Sequence, residues 1–252
     1  MIKISFLLDL PQTSKVSTLI PASRPTEYYN RMTKAQELSH WLSSLEPAAR
    51  AAVLAKAHML ILPPQTEVYA QGDPVDGIYI VVEGVVKELA AREGCLRLAR
   101  LSGPGEVLGV GELFSEPVQT MSAVTVRPTR LARLSQADIQ GIFGEHPSVL
   151  LWAMQQLSTK LRELRRALVE TVYVESAARL TRKLVEVAER FGERTPHGVL
   201  IDIKLSRDEW AALAGMAPET VSRVLHDLER RGWIALEGRR IRLLEEEKLS
   251  LT

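Results

Sequence analysis

The chain has 252 residues, 46% hydrophobic and 25% charged, and its net charge of +1 is too small to draw the whole molecule to a polyanion or a membrane. Its single cysteine, Cys95, excludes a disulfide within the chain and an iron–sulfur cluster held by several of its cysteines. The charge is uneven, because residues 36–150 carry 9 Lys and Arg against 13 Asp and Glu whereas residues 151–252 carry 18 against 16, so a polyanion would meet the C-terminal part.

Residues 1–34 contain Pro11, Pro21 and Pro25 without a sustained hydrophobic period, which predicts a flexible extension. The first residues contain neither a long apolar core nor a cleavage pattern, so we expect no secretion signal and a cytoplasmic protein without membrane contact. The sequence leaves open whether the natural start is Met1 or Met32. A helical pattern follows from Ala35 to about Met59, divided by Pro47.

Residues 35–145 are predicted to form one domain that is mostly β-structure. Short runs such as GIYIVVEG and SAVTV alternate with glycine turns, including Gly72-Asp73-Pro74 and Gly103-Pro104-Gly105. Many short strands at close spacing are typical of an antiparallel double-sheet roll.

Residues 146–173 change to a helical pattern with an apolar heptad. Its members are spaced by four and three residues in turn, as in the seam of a two-stranded coiled coil. The alternative is a helix that packs on its own domain, but the repeat favours a dimerisation helix. The seam residues are Leu150, Met154, Leu157, Leu161, Leu164 and Leu168.

Residues 174–252 are predicted to form a winged helix-turn-helix. Ser206 and Glu209 make a capping box at the start of one helix, and Gly215 provides a tight turn. Pro218 begins the second helix and Gly232 ends it. WIALEGRRIRLL then predicts two strands joined at Glu237-Gly238, so the whole fold class is α+β.

The second helix, in MAPETVSRVLHDLERRG, carries Glu219, Ser222 and Arg223 on the face opposite its apolar stripe. An ordinary solvated surface also produces such a trio. In a capped helix-turn-helix with a wing, however, a carboxylate, a hydroxyl and a guanidinium are the groups that read cytosine, thymine and guanine edges.

The segment LSRDEWAALAGMAPETVSRVLHDLERRGWIALEGRRIRLL resembles the DNA-binding domain of the cyclic AMP receptor protein and fumarate–nitrate regulator family. AQGDPVDGIYIVVEGVVKE and PGEVLGVGELF resemble the β-roll of that family, and the resemblance covers about residues 36–245. It implies a homodimeric transcription regulator that binds double-stranded DNA and contacts RNA polymerase.

Residue by residue, the resemblance implies base reading by Glu219, Ser222 and Arg223. The E-x-x-S-R pattern and Pro218, where the cyclic AMP branch has an arginine, favour the fumarate–nitrate branch and a TTGA-like half-site. Contacts to DNA phosphates are expected from Thr220, Ser206, Arg239 and Arg240, with Arg230, Arg231 and Arg242 as further basic candidates.

The effector pocket of the family maps onto Gly111, Glu112 and Leu113, then Met121 and Ser122, and Leu164 on the dimer helix. Met121 stands where the family has its phosphate-binding arginine, and Leu164 where it has a base-contacting hydroxyl. Because a buried phosphodiester needs a paired cation, we expect that the effector is not cyclic AMP.

Haem remains a possible cofactor, with His40, His58, His146 and Cys95 as candidate axial ligands, and regulation by abundance alone is equally compatible with the sequence. No metal-ligand spacing, phosphate loop or nucleophile–base motif is found, so the protein is predicted not to be an enzyme. The alternative function is a cyclic-nucleotide-regulated signalling module whose helix-turn-helix is degenerate.

Overall fold

The computed structural model describes residues 42–92, 95–115 and 117–250. The predictions for residues 1–34, for the start of the helix at Ala35 and for His40 lie outside these ranges.

Among the described residues, a roll of short antiparallel strands follows the helix Pro47–Lys56 (α1). Its strands are His58–Leu62 (β1), Glu67–Tyr69 (β2), Gly77–Glu83 (β3), Val86–Arg92 (β4), Cys95–Ser102 (β5), Val107–Leu108 (β6), Ser122–Thr125 (β7) and Thr129–Ser135 (β8). They form two four-stranded sheets in the orders β1-β8-β3-β6 and β2-β7-β4-β5. The predicted double-sheet roll is confirmed.

Strand β3 is apolar on both faces because it lies inside the roll. Ile78, Ile80 and Val81 are fully buried, and the strand pairs with β8 on one side and β6 on the other. Gly77 opens it at φ 148°, where a Cβ atom would lie 2.0 Å from the carbonyl oxygen of Leu134. Only glycine allows this close approach of the two backbones.

The helix predicted to extend to about Met59 ends earlier, so that part of the prediction is wrong. Lys56 is its last residue, Ala57 is extended (φ −66°, ψ 135°), and His58 begins β1. Strand β1 pairs along its whole length with β8, from His58 opposite Arg133 to Leu62 opposite Thr129. This long-range pairing outweighs the local helical spacing.

Two helices lead out of the roll. Gln136–Glu145 (α3) begins at Ser135, whose hydroxyl accepts from the N–H of Asp138, and Pro147–Tyr173 (α4) follows. At about 1.5 Å per residue, α4 is about 40 Å long. It ends at Val174, which is extended, and Glu175 (φ −58°, ψ 148°) then precedes Ser176–Phe191 (α5).

The C-terminal domain, residues 176–250, is a helix-turn-helix with a hairpin wing, as predicted. After α5 its elements are Glu193–Thr195 (β9), Gly198–Ile201 (β10), Arg207–Ala214 (α6), Pro218–Arg230 (α7), Ile234–Glu237 (β11), Arg240–Leu243 (β12) and Glu246–Ser250 (α8). A short helix, Glu112–Ser115 (α2), lies in the roll. Trp210 on α6 is fully buried in the core of this domain.

The capping box predicted at the start of α6 is present. The hydroxyl of Ser206 accepts from the N–H of Glu209 at 3.1 Å, and the carboxylate of Glu209 accepts from the N–H of Ser206 at 2.7 Å. The other oxygen of Glu209 accepts from the ammonium of Lys87, on β4 of the roll, at 2.9 Å. The cap therefore also joins the two domains.

The roll and the C-terminal domain share one hydrophobic core. Residues on the outward face of the β4–β5 hairpin pack against α5 and α6. The roll contributes Val85, Leu89, Leu98 and Leu101, and the C-terminal domain contributes Leu180, Leu184, Phe191 and Trp210. At Gly103 the approach is so close that a Cβ atom would lie 2.5 Å from the ring of Phe191.

Replacing Ser206 with Ala should lower the free energy of unfolding by about 1 kcal/mol, because the N–H of Glu209 loses its acceptor at the helix start. Urea denaturation followed by circular dichroism measures the change. Ser206→Thr keeps the acceptor and serves as the control, and equal losses in the two variants would contradict this role of the hydroxyl.

Candidate nucleic-acid interface and roll interior

The helix-turn-helix presents the N-terminal turn of α7 to solvent. Gly215 makes the turn in the left-handed conformation (φ 63°, ψ 48°), and Pro218 occupies the first turn of α7, where its missing N–H costs no hydrogen bond. The predicted apolar stripe faces the core, with Val221, Val224, Leu225 and Leu228 all buried.

The base-reading candidates lie on the opposite face of α7. Glu219 and Arg223 are exposed and Ser222 is half-buried. Within the described residues, the side chains of Glu219 and Arg223 have no hydrogen-bond or ion-pair partner, and they do not pair with each other. Their charges are therefore available to a ligand.

The side chains predicted to contact phosphates differ in how strongly other residues of the protein already bind them. Arg239 is exposed beside the hairpin tip at Gly238, and the part of the chain that is described offers it no polar partner. Arg240 lies 3.8 Å from Asp202 and 3.6 Å from Glu237, which are weak surface pairs.

Arg242 belongs to the structure of the wing. It donates to Glu237 at 2.7 Å and to the hydroxyl of Thr195 at 2.8 Å, and its hydrogen bond lowers the pKa of the Glu237 carboxyl. Of the three wing arginines, Arg239 is therefore the one best placed to meet a phosphate.

The end of α7 is held internally as well. Arg230 donates to Asp227 at 2.5 Å, and Arg231 forms an ion pair with the same carboxylate at 2.7 Å. Arg231 also lies over the ring of Trp233, at 5.3 Å from its centroid. Thr220 and Ser206 are half-buried, and the cap engages the hydroxyl oxygen of Ser206 as an acceptor, which leaves its proton for a phosphate oxygen.

A groove of about 850 Å³ separates α7 from the junction of α4 and α5. Thr220 and Arg223 lie on its α7 side, and Thr171 and Val174 on the side of the junction. Its lining includes four arginines against two carboxylates, Glu175 and Asp227, so it is positively charged overall. The groove continues the basic surface of the recognition turn toward the end of the long helix.

Most of the predicted dimer seam is exposed in the single chain. Leu161, Leu164 and Leu168 are 67%, 61% and 63% exposed, and Met154 is 56% exposed. Leu150 is half-buried, and Leu157 packs partly against the core of its own roll. The exposed apolar face of α4 also includes residues that the heptad did not identify, Leu151, Val169, Val172 and Tyr173.

Apart from Leu164, the predicted effector residues lie in α2, in β7 or directly before one of these elements. Gly111 and Glu112 are half-buried, Leu113 is buried, and the carboxylate of Glu112 accepts from the hydroxyl of Thr120. Met121 is half-buried, and the hydroxyl of Ser122 accepts from the N–H of Gln71 at 2.9 Å. Leu164 is exposed on α4 and lies on the face left for a partner.

The sequence analysis did not identify Lys160 of α4 as a half-buried cation near the predicted effector residues. The ammonium of Lys160 on α4 reaches the roll and donates to the carbonyl of Val107 at 2.6 Å. Burial lowers the pKa of Lys160, and the carboxylate of Glu88, itself buried and accepting from the hydroxyl of Ser102 at 2.6 Å, opposes that shift. Leu157, three residues earlier, also packs against the roll. Because the heptad assigned Leu157 to the dimer seam, its spacing from Lys160 did not indicate this contact in the sequence.

The candidate haem ligands are dispersed. His58 lies exposed on β1, His146 lies between α3 and α4 with its ring 3.9 Å from Glu46, and Cys95 begins β5. No cluster of three His, Cys, Asp or Glu side chains suited to a metal ion occurs in residues 42–92, 95–115 and 117–250. Over the same ranges, no helix has both the length and the apolar character needed to cross a bilayer.

Comparisons with known proteins match both halves. Residues 60–146 match the cyclic nucleotide-binding domain family, and residues 178–251 match the Crp-like helix-turn-helix domain family. A cyclic AMP receptor protein from Thermus thermophilus is 33% identical over 192 residues, which are 74% of this chain and 86% of that protein.

Solved structures agree with this match. A transcriptional regulator of the CRP/FNR family from Thermus thermophilus superposes with a TM-score of 0.67 at 27% identity, covering 77% of this chain and 97% of that one. A c-di-GMP-responsive global regulator from Xanthomonas campestris has a TM-score of 0.66 at 25% identity, with 79% and 99% covered.

Proposed function

The chain belongs to the cyclic AMP receptor protein and fumarate–nitrate regulator family of transcription regulators, and we propose that it acts as a homodimer that reads an inverted-repeat DNA site through α7 and the wing. The observation that carries this proposal is the recognition turn of α7, where Glu219 and Arg223 are exposed side by side. A degenerate helix-turn-helix is disfavoured, because the cap at Ser206 and the turn at Gly215 are both intact.

The chemistry of the turn supports a half-site with a central G·C pair. A guanidinium can donate to O6 and N7 of guanine together, and a carboxylate can accept from N4 of cytosine. Arg223 and Glu219 are four residues apart on one face of α7, so they reach neighbouring base edges. With Pro218 unable to donate before Glu219, a TTGA-like half-site fits best.

Phosphate contacts position this turn in the groove. Arg239 at the tip of the wing is the main candidate, and the hydroxyls of Thr220 and Ser206 are further candidates close to the start of α7 and α6. Arg240 can exchange its weak pairs with Asp202 and Glu237 for a phosphate.

The exposed apolar face of α4 supports dimerisation. Leucines at 161, 164 and 168 that are more than 60% exposed on one helix cost free energy in water, and a second copy of α4 would bury them. The division of labour that we propose is a sensor domain at residues 35–145, a dimer helix at 146–173 and a DNA-binding domain at 174–252.

The effector belongs in the roll and differs from cyclic AMP in its contacts. Met121 supplies no charge, and the cation that does reach the interior, Lys160, is engaged by the carbonyl of Val107. As a transcription regulator of the cytoplasm, the protein would also contact RNA polymerase.

Replacing both Leu161 and Leu168 with Glu should give monomers, because two carboxylates per helix would lie unpaired in the seam. Both side chains avoid contact with their own roll, unlike Leu157, so the fold should survive. Sedimentation velocity measures the mass. Glu at Thr159 and Arg166, also seven residues apart but on the opposite side of α4, is the control and should remain dimeric. A dimeric Leu161/Leu168 variant would place the interface elsewhere.

Replacing Arg223 with Ala should cost about 1–3 kcal/mol per half-site and remove the preference for the guanine that it reads. Titrations compare a TTGA palindrome with one whose G·C pairs are inverted. If the variant loses equal affinity for both DNAs, Arg223 is a phosphate anchor.

Replacing Arg239 with Ala should weaken binding to both palindromes alike and reduce the salt dependence by about one phosphate contact per subunit. Titrations at two salt concentrations measure the slope. Arg194→Ala removes the same charge from β9, at the opposite edge of the wing's sheet, and should leave the slope unchanged. An unchanged slope for Arg239→Ala would mean that its charge lies away from the DNA.

Cyclic AMP should bind no better than millimolar in calorimetry, because the phosphodiester charge would lack its cation at Met121. Met121→Arg restores that cation and should tighten binding at least about ten-fold, since a charge-assisted pair is worth more than 1.4 kcal/mol when buried. Micromolar binding by the unmodified protein would contradict the assignment of the effector pocket.

A further inference from the structure

Arg179, in the first turns of α5, uses its guanidinium to hold the ends of two other helices. It donates to the carbonyls of Ala214 (3.1 Å) and Gly215 (2.9 Å) at the end of α6. It also donates to the carbonyls of Val174 (2.6 Å) and Thr171 (3.4 Å) at the end of α4. A side chain on one helix thus contacts the dimer helix and the helix-turn-helix at once.

The chemistry of the two helix ends explains why an arginine suits this position. The last carbonyls of a helix have no partner within it and carry the negative end of its dipole. A guanidinium has five N–H donors in a planar fork, so it can serve two such ends that approach from different directions. Its remaining contact, to the hydroxyl of Ser176 at 3.5 Å, completes the set.

A second contact fixes the same junction. The turn residue Gly215 lies against the last turns of α4, since a Cβ atom on it would lie 3.3 Å from the hydroxyl oxygen of Thr171. The covalent link between α4 and α5, at Val174 and Glu175, leaves the helical conformation. The N–H of Val174 still bonds to the carbonyl of Glu170, and the carbonyl of Glu175 accepts from the N–H of Arg179, so each residue belongs to the end of its own helix and the two helices are not one continuous rod. The contacts made across the junction therefore contribute to the orientation of the helix-turn-helix relative to α4, together with the core that the C-terminal domain shares with the roll.

We propose that Arg179 is a positioning residue that sets the angle of the recognition helix to the dimer helix and thereby the half-site spacing that the dimer accepts. This inference rests on the proposed function. In a two-fold dimer, the two recognition turns must lie about one helical turn of DNA, about 34 Å, apart on one face. One inserted base pair moves a half-site by about 3.4 Å and rotates it about the DNA axis, so a rigid junction must discriminate between spacings.

This role differs from that of a direct DNA contact. Arg179 borders the basic groove, but its donors are all occupied by the protein. A phosphate anchor would contribute to binding on every DNA and to the salt dependence. A positioning residue instead changes the ratio between the affinities for different half-site spacings.

The experiment measures the affinity for TTGA inverted repeats with the spacer shortened by one base pair, unchanged, or lengthened by one or two, and for a single half-site. Three variants are compared with the unmodified protein, Arg179→Gln, Arg179→Lys and Arg182→Gln. Arg182 is exposed on α5 three residues farther on, so Arg182→Gln removes the same charge without touching the junction. Sedimentation and thermal unfolding check that each variant is a folded dimer.

We expect the unmodified protein and Arg182→Gln to prefer one spacing by about ten-fold or more. Arg179→Gln should reduce that preference to about three-fold or less, with the affinity for a single half-site and the salt dependence changed less than about two-fold. Arg179→Lys should resemble Arg179→Gln, because an ammonium cannot serve both helix ends through a planar fork. Should Arg179→Gln fail to fold, Arg179→Lys carries the same comparison.

Two results would overturn this inference but leave the proposed function standing. One is a folded Arg179 variant that keeps the ten-fold spacing preference. The other is a variant that loses the same affinity for every DNA and shows a weaker salt dependence. If the unmodified protein itself prefers no spacing, the proposed dimer on an inverted repeat is wrong, and the inference falls with it.

Discussion

The molecule depends on the apolar contact between the outward face of the β4–β5 hairpin and helices α5 and α6. Side chains alternate along β4, so Val85, Lys87 and Leu89 face the C-terminal domain, whereas Val86 and Glu88 face the interior of the roll. A sheet face of this kind would be polar if it met water. Here it is apolar because a second domain covers it.

Ion pairs at the edge of this contact favour one orientation of the two domains. The Lys87–Glu209 pair spans 2.9 Å with both side chains less than 20% exposed, and the same carboxylate caps α6. Arg190 of α5 donates to Glu106 of the roll at 2.6 Å. Removing one partner of such a half-buried pair would leave the other charge poorly solvated, so the pairs favour a single docking geometry over a sliding apolar contact.

The sequence predicted the parts of the structure that are specified locally. The capping box at Ser206, the left-handed turn at Gly215 and the strand turns are short-range signals, and the structure confirms them. The leucine repeat likewise found residues that the fold leaves exposed on α4. What the sequence did not reveal arises from contacts between distant segments. Strand β1 is extended because β8 pairs with it, and Lys160 is half-buried because the roll folds against α4.

Arg179 shows the same limit at the candidate site. In the sequence it is one of 18 basic residues after residue 150, and nothing in its neighbours distinguishes it from the exposed Arg182. Four of its partners are backbone carbonyls, contributed by segments up to 36 residues away, and backbone carbonyls have no signature in the sequence. By contrast, Glu219 and Arg223 could be identified because their role depends on the face of one helix.

The loop of residues 103–107, which ends at the first residue of β6, binds cations from three parts of the molecule. Arg100 of β5 and Arg190 of α5 both donate to Glu106, and Lys160 of α4 donates to Val107. Three cations from the roll, the dimer helix and the C-terminal domain thus converge on one short loop, and each is partly removed from water. A shift of the loop toward one of the three elements would weaken its bonds to the other two. The roll, the dimer helix and helix α5 of the C-terminal domain are therefore tied together at a segment that includes none of the proposed DNA contacts.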